Sequence, residues 1–521
     1  MREPKGLQAG APPSGVVGPP NGRLAGKCGV AAALIALPFL FPFSDGPSVS
    51  AWQLLFTLAF AAGLLLLHAS TPDGAPSSVS AKALALGLLT AGLVSAVLGL
   101  LQYYGFAEPL VPWTTAPALG QAYGNLRQRN QFATLISMAT VALLWLYVTT
   151  GSTQRRRLLL LAALPLLLVA QAAATSRTGL LELLGTVGIA AWMARHDRRL
   201  PPWWLLCLCV PFYFLAGWLL PQLTGGGVDE MVVRLREGAP IGHSRLLLWG
   251  NVLALIGERP WTGWGWGELS FAHYSTLYDG PRFVEILDNA HNLPLHLAVE
   301  LGIPAAVLVC GGFAWLVLAA RPWRERDPAR LMVWGVFGMI VLHSLLEYPL
   351  WYGPFQLVFG LCMGLLWPAP ARAGNLKPNR PLAPALSAGA AMILIAIVGY
   401  AGWDYTRVSQ IYLARDARLP AWRDDTLAKI RPSWLFANQV RFAELALTPV
   451  THANAEAVHA LARRTLHFSP EPAVVIKLIE SATLLGRQDE AFAQARRFQL
   501  AYPAEYARWL AGLPPLRPGE Q

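Results

Sequence analysis

The sequence predicts an all-α fold: a polytopic transmembrane helical bundle of about eleven spans, with one large loop and a helical C-terminal unit on the side away from the cytoplasm. Three observations predict it. Hydrophobic residues make up 54% of the 521 positions and charged residues only 14%, which excludes a soluble enzyme. The apolar residues come in unbroken runs of roughly 17 to 25, the length that crosses a bilayer, rather than at one-face helical spacing. Arginines concentrate in alternate short loops, as the positive-inside rule requires.

The net charge of +11 is therefore mainly topological, and no basic helix interleaved with aromatics suggests nucleic acid. The five cysteines (Cys28, Cys207, Cys209, Cys310, Cys362) lie in or beside apolar runs without CxxC spacing, and read as small buried hydrophobes rather than a disulfide framework or zinc site.

Residues 1–26 are Gly/Pro-rich and weakly basic without a signal-cleavage site, and read as a disordered cytoplasmic tail before an uncleaved first span. A transmembrane unit, 27–404, follows, with candidate spans near 28–43, 51–68, 82–104, 131–149, 157–173, 179–194, 203–220, 292–320, 331–347, 351–368 and 384–403. Orientation rests on four loops: Arg155 to Arg157; Arg195, Arg198 and Arg199; Arg321, Arg324, Arg326 and Arg330; and Arg372, Lys377 and Arg380. With these loops cytoplasmic, eleven spans place the N-terminus inside and residues 405–521 outside.

That topology isolates arginines on the wrong side of the charge bias: Arg127 and Arg129 in AYGNLRQRNQ, Arg177 in TSRTG, and Arg234, Arg236, Arg245, Arg259 and Arg282 in the long loop 221–290. One such arginine can simply snorkel. Several together point to an anionic ligand, because guanidinium binds phosphate through bidentate, charge-assisted hydrogen bonds. Within the loop, residues 243–257 read as an amphipathic helix with Ser244 as N-cap. The following PWTGWGWG is no dinucleotide fingerprint, since no βαβ unit surrounds it; its aromatics either sit at the membrane interface or stack on sugar rings.

Next comes DNAHNLPLHLAVELG, residues 288–302, with His291 between Asn289 and Asn292 at the span boundary and Asp288 nearby. An imidazole beside arginines can take a proton from a hydroxyl or orient a phosphate, and a carboxylate can fix its tautomer. His296 and Glu300 read as a buried polar pair that holds helices together. In HSLLEYPLWYG, residues 343–353, the ionisable residues His343, Glu347, Tyr348 and Tyr352 read as lining the same outward-facing site, the alternative for the tyrosines being an aromatic turn at the interface.

RQRNQFAT, SRTG, the Arg245-to-Trp266 stretch, DNAHNLPLHLAVELG and HSLLEYPLWY, taken in order, resemble the PglL-like bacterial protein O-oligosaccharyltransferases, in the superfamily of O-antigen ligases and Wzy polymerases. The resemblance implies that His291 is the essential residue, that Arg177 and Arg245 contact a lipid-linked pyrophosphate, and that Tyr348 or Tyr352 is the functional tyrosine. Arg127, Arg129, Asn130, Asn292 and Glu347 are the further candidates for substrate binding. It also implies a bacterial inner-membrane protein with a periplasmic site, an undecaprenyl-pyrophosphate glycan as donor, a periplasmic or pilin-type acceptor protein and no cofactor or metal. In keeping with that, the chain has no HExxH, Walker or DxD-type motif.

The tail 405–521 reads as short helices, with residues 486–503 resembling the second half of a tetratricopeptide (TPR) unit; it either offers a concave surface to a polypeptide or is a packing cap. The alternatives carried forward are a ligase or polymerase using the same donor, a transporter of an anionic polyprenyl lipid, and an interaction protein whose working part is the tail. The first shares the donor chemistry. The second would be expected to show internal repeats, and none is evident. The third leaves the arginines unexplained.

Overall fold

The computed structural model describes residues 22–44, 46–48, 50–71, 77–149, 154–224, 244–284, 286–367 and 382–513. Residues 1–21 of the expected tail, Arg234 and Arg236 of the long loop, and Arg372, Lys377 and Arg380 lie outside these. Among the described residues every regular element is helical.

The first helices are α1 (Gly22–Leu40), which takes in residues 22–26, α2 (Ala51–Ala69), α3 (Ser77–Tyr103), α4 (Arg129–Thr149), α5 (Gln154–Ala173), α6 (Arg177–Ala194) and α7 (Trp203–Gln222). The large loop holds α8 (Arg245–Glu258) and α9 (Leu269–Ser275). Then come α10 (Leu293–Leu301), α11 (Ile303–Arg324), α12 (Pro328–Ser344), α13 (Gly353–Leu366) and α14 (Leu382–Ser409). The tail contributes α15 (Ala437–Leu447), α16 (Ala455–Phe468), α17 (Pro472–Leu484), α18 (Gln488–Ala501) and α19 (Pro503–Leu510).

Eight of these, α1 to α5, α7, α11 and α14, are long and apolar enough to cross a membrane. The other three expected spans are also helices: α12 and α13 are shorter apolar helices, and α6 carries the fully buried Glu182 in an otherwise apolar stretch. The expected span 292–320 is not one helix. Gly302, at φ +86°, separates α10 from α11, and a Cβ there would lie 2.3 Å from the Trp261 carbonyl oxygen. The loop backbone wedges in at this point, and the membrane-length helix begins only at Ile303.

α4 is the centre of the bundle, buried along Phe132, Ala133, Leu135, Ile136, Met138, Ala139, Ala142 and Leu143 and, with them, the polar Gln131, Thr134, Ser137 and Thr140. Small residues set its distance from α3: an ideal Cβ on Gly92 would lie 2.3 Å from that of Ala139. In a bilayer, where lipid is as apolar as leucine, such close backbone approach is what holds helices together. α3, α5, α6 and α12 surround α4, so that the N-terminal ends of α4 and α6 share one end of the bundle.

The tail is tied to the rest at two places. α14 runs through the expected boundary at 404/405 without a break, and the buried Asp404 pairs with Arg407 at 2.6 Å and accepts the Ser433 hydroxyl at 2.8 Å. The tail helices pack in succession and also on the loop helix α9. There His467 stacks on Phe271 at 3.8 Å and meets Glu268 at 2.8 Å, the Tyr274 hydroxyl donates to Gln494 at 3.1 Å, and Arg497 donates to the Ser275 carbonyl at 3.0 Å.

Candidate active site

Glu347 is the hub. It lies in the turn between α12 and α13, with its side chain 4% exposed. His291 Nδ1 meets one carboxylate oxygen at 2.7 Å; Asn130 donates to the other at 2.8 Å, and the Arg245 guanidinium pairs with that same oxygen. Three segments far apart in the chain thus converge on the carboxylate of a fourth. A buried carboxylate has to be satisfied in this way, because an unpaired one would be strongly destabilising.

Each segment is held by its own local device. Ser244 caps α8, its hydroxyl accepting the Leu247 N–H at 3.2 Å, as the sequence suggested, and this places Arg245 in the first turn. The Arg245 Nη1 atom is buried and has no hydrogen-bond partner among the described residues. Asn292 caps α10 by accepting the Leu295 N–H at 3.1 Å, and donates to the Leu345 carbonyl at 2.9 Å, which ties the His291 turn to the Glu347 turn. Ser176 caps α6, accepting the Gly179 N–H at 3.0 Å while donating to Asn130 at 2.7 Å. Gly179 is required there, since a Cβ would lie 2.6 Å from that of Ala133.

His291 is in the left-handed region at φ +50°, uncommon for a non-glycine residue, and its N–H donates to the Asn289 side chain at 2.9 Å. With Nδ1 against a carboxylate oxygen, the ring proton belongs on Nδ1 and Nε2 keeps its lone pair. The Tyr348 ring stands edge-on to His291 at 4.7 Å, and Tyr352 stacks behind Tyr348 at 5.9 Å. Of these two tyrosines, Tyr348 is the one whose ring stands against the imidazole. Burial, with Tyr352, Asp288 and Glu347 nearby, pushes the Tyr348 hydroxyl well above its ordinary range, so it stays protonated and acts as a donor.

The arginines separate. Arg129, at the start of α4, donates to Thr175 at 3.3 Å, and Arg177 is exposed at the start of α6, both at the hub's end of the bundle. Arg127 instead reaches Ser44 and the Pro42 carbonyl. Arg259 lies over the Trp264 ring at 4.1 Å, and Arg282 donates to the Thr276 carbonyl at 3.2 Å, so both serve the loop itself. His343 does not line the outward site with His291: it is fully buried inside the bundle, 2.9 Å from Thr134. His296 and Glu300, expected to be a buried polar pair holding helices together, are a buried pair on one helix, 3.4 Å apart, with Trp266 of the loop and Trp351 of the 349–351 turn against the His296 ring. Among the described residues there is no group of His, Cys, Asp and Glu that could hold a metal ion.

Ser176 was not singled out from the sequence, although a serine just ahead of an apolar run is a readable cap signal. The glycines of PWTGWGWG likewise gain a reason. Gly263, Gly265 and Gly267 all have positive φ, and the Trp264 and Gly265 N–H groups donate to the carbonyls of Val299 and Glu300, each at 2.9 Å.

Three families match consecutive parts of the chain: "Protein glycosylation ligase" at residues 122–147, "O-Antigen ligase" at 161–310, and "Virulence factor membrane-bound polymerase, C-terminal" at 331–512. Arg129 and Asn130 fall in the first, Arg177, Arg245 and His291 in the second, and Glu347 and Tyr348 in the third. The chain is thus similar to PglL-like protein O-oligosaccharyltransferases and to the O-antigen ligase family. Among curated relatives, it is 27% identical over 363 residues to a general O-oligosaccharyltransferase of Acinetobacter baylyi, covering 64% of this chain and 60% of that protein. It is 23% identical over 252 residues to a ComP-specific O-oligosaccharyltransferase of the same organism, covering 47% and 44%. The matched part is therefore less than two thirds of either relative's length.

Proposed function

We propose that this protein is an O-linked oligosaccharyltransferase of the bacterial inner membrane, moving a glycan en bloc from undecaprenyl pyrophosphate to a Ser or Thr hydroxyl of a periplasmic protein. The observation that carries the reading is the convergence of His291, Arg245 and Asn130 on the buried Glu347. Arg245, with Arg177 and Arg129 at the same end of the bundle, supplies positive charge for a pyrophosphate. His291 Nε2 takes the proton of the acceptor hydroxyl as its oxygen attacks the anomeric carbon. The bond between that carbon and the pyrophosphate oxygen breaks, and its electron pair leaves on the pyrophosphate, giving inversion at carbon. Charge that grows on the leaving group in the transition state is what the guanidinium groups stabilise. Tyr348, held protonated, donates a hydrogen bond beside the imidazole. The tail 405–521, TPR-like in sequence, faces the periplasm in this reading and contributes to acceptor binding.

The test is transfer in proteoliposomes supplied with undecaprenyl-pyrophosphate glycan and a Ser-rich periplasmic acceptor protein, wild type beside His291→Ala. Glycosylated acceptor is expected with the first and none with the second. Donor consumed onto glycan or lipid A instead would move the acceptor to that of a polymerase or ligase. Donor bound but never consumed would leave a lipid transporter as the better account.

A further inference from the structure

His296 and Glu300 form a second buried polar pair beside the hub. Each is 2% exposed, and they lie one turn apart on α10 with Nε2 and Oε2 separated by 3.4 Å. The other ring nitrogen, Nδ1, accepts the Ala290 backbone N–H at 3.4 Å. A nitrogen that accepts an N–H carries no proton, so the ring is neutral and its proton sits on Nε2, toward Glu300. Ala290 directly precedes His291, whose left-handed backbone persists only where the surroundings impose it.

The same ring touches the other half of the site. It stands edge-on to Trp351 at 4.8 Å and to Trp266 at 6.2 Å, and these two indoles stack at 6.2 Å and 17°. Trp351 lies in the short turn Pro349–Trp351, between Tyr348 and Tyr352. The Glu300 carboxyl faces the backbone N–H groups of Gly267 and Leu269, and the Trp264 and Gly265 N–H groups tie that loop to α10 by donating to the Val299 and Glu300 carbonyls. One imidazole therefore meets the His291 turn, the Tyr348 turn and the large loop. An apolar side chain could fill its volume, but only a polar one fixes the Ala290 N–H, and a buried polar group is costly unless its partners are in place.

We propose that His296, oriented by Glu300, is a positioning residue for the transfer reaction: it keeps His291 and Tyr348 in register without touching substrate. The proposal rests on the catalytic reading of His291 given above. A packing role would be met by a leucine of similar bulk, whereas a positioning role requires an acceptor opposite the Ala290 N–H.

The test uses full-length protein in proteoliposomes, with His296→Leu, His296→Asn, Glu300→Gln and His291→Ala. It reads kcat, donor KM, thermal midpoint and deuterium exchange of the peptide 286–295. For His296→Leu, kcat is expected to fall about tenfold or more with donor KM changed less than about twofold, since small displacements of a reacting group cost rate rather than binding. Exchange at the His291 turn should speed up, while α14 stays as protected as in wild type. His296→Asn, whose amide oxygen can accept the Ala290 N–H, should recover most of the loss. A kcat for His296→Leu within about twofold of wild type overturns the proposal, as does a loss that merely follows the folded fraction and is not relieved by Asn. If the leucine variant does not fold, His296→Asn and Glu300→Gln decide on the same readouts: near-normal kcat with Asn and a selective kcat loss with Gln support positioning, and any other pattern rejects it. Wild-type transfer by His291→Ala would defeat the functional reading itself, a result distinct from all of these.

Discussion

Glu347 places one negative charge between a guanidinium and an imidazole, so its neutral isostere measures what that charge maintains. In Glu347→Gln the amide keeps the shape but loses the pairing with Arg245 and the preference for a proton on His291 Nδ1. Transfer is expected to fall about 100-fold or more, the scale on which a misassigned base acts, with the protein still inserted and folded; initial rates on reconstituted protein check it. Tyr348→Phe removes only the hydroxyl and leaves the edge-on packing against His291. Its effect should be on kcat and smaller than that of Glu347→Gln, while Tyr352→Phe, one ring further back, should lose less again.

At the scale of elements, the large loop is built around backbone that side chains would obstruct. A Cβ on Gly263 would lie 2.4 Å from the backbone carbonyl of Glu300, and its φ of +67° is one that L side chains rarely adopt. Gly263→Ala should therefore cost about 2 kcal/mol or more of local stability, seen as faster hydrogen exchange across α10 and the Trp264 loop. Nearby His273 is buried in the loop, with Nδ1 2.7 Å from the Tyr278 hydroxyl and Nε2 3.1 Å from the Phe283 carbonyl. Burial, with Arg282 adding to it, lowers its pKa from the ordinary 6.5 to about 3. Above pH 6.5 the ring is neutral folded or unfolded and contributes no pH dependence. As pH falls from there toward 3 only the unfolded loop takes up the proton, so stability is lost, by at most about 1.4 kcal/mol per pH unit. A thermal midpoint that drops between pH 7 and 5, and drops less in His273→Phe, is the expected outcome.

Across the whole molecule, the loop is joined to the tail through α9, whose Phe271 and Tyr274 pack within the hydrophobic cluster of the tail helices. A chain ending after α14 should leave α9 open to proteolysis, readable by limited digestion of the membrane-inserted protein. The chemistry proposed here draws all its positive charge from arginines, so transfer should survive treatment with EDTA at full rate. Complete loss with the chelator, restored by a divalent ion, would argue strongly against it.

The sequence by itself determined the class of molecule and the family that it resembles. Apolar runs of membrane length must become helices because a bilayer leaves backbone N–H and C=O groups no other partner, and the eight membrane-length helices fall where those runs lie. The Ser244 cap and the polar residues of the hub were likewise legible, because capping groups and buried charges are rare enough in an apolar chain to stand out, whereas the break at Gly302 was not. Only the tertiary structure decided how they combine. Glu347 could be read as one of several polar residues at a span end, and nothing in its neighbours along the chain says that Arg245, 102 positions away, and His291, 56 away, meet on its two oxygens. It also separated Arg245 from Arg127, and His291 from His343, which look equally eligible along the chain. The physical reason is that helix formation follows from local backbone satisfaction, whereas a buried carboxylate draws its partners from whichever helix ends the packing of the bundle brings together.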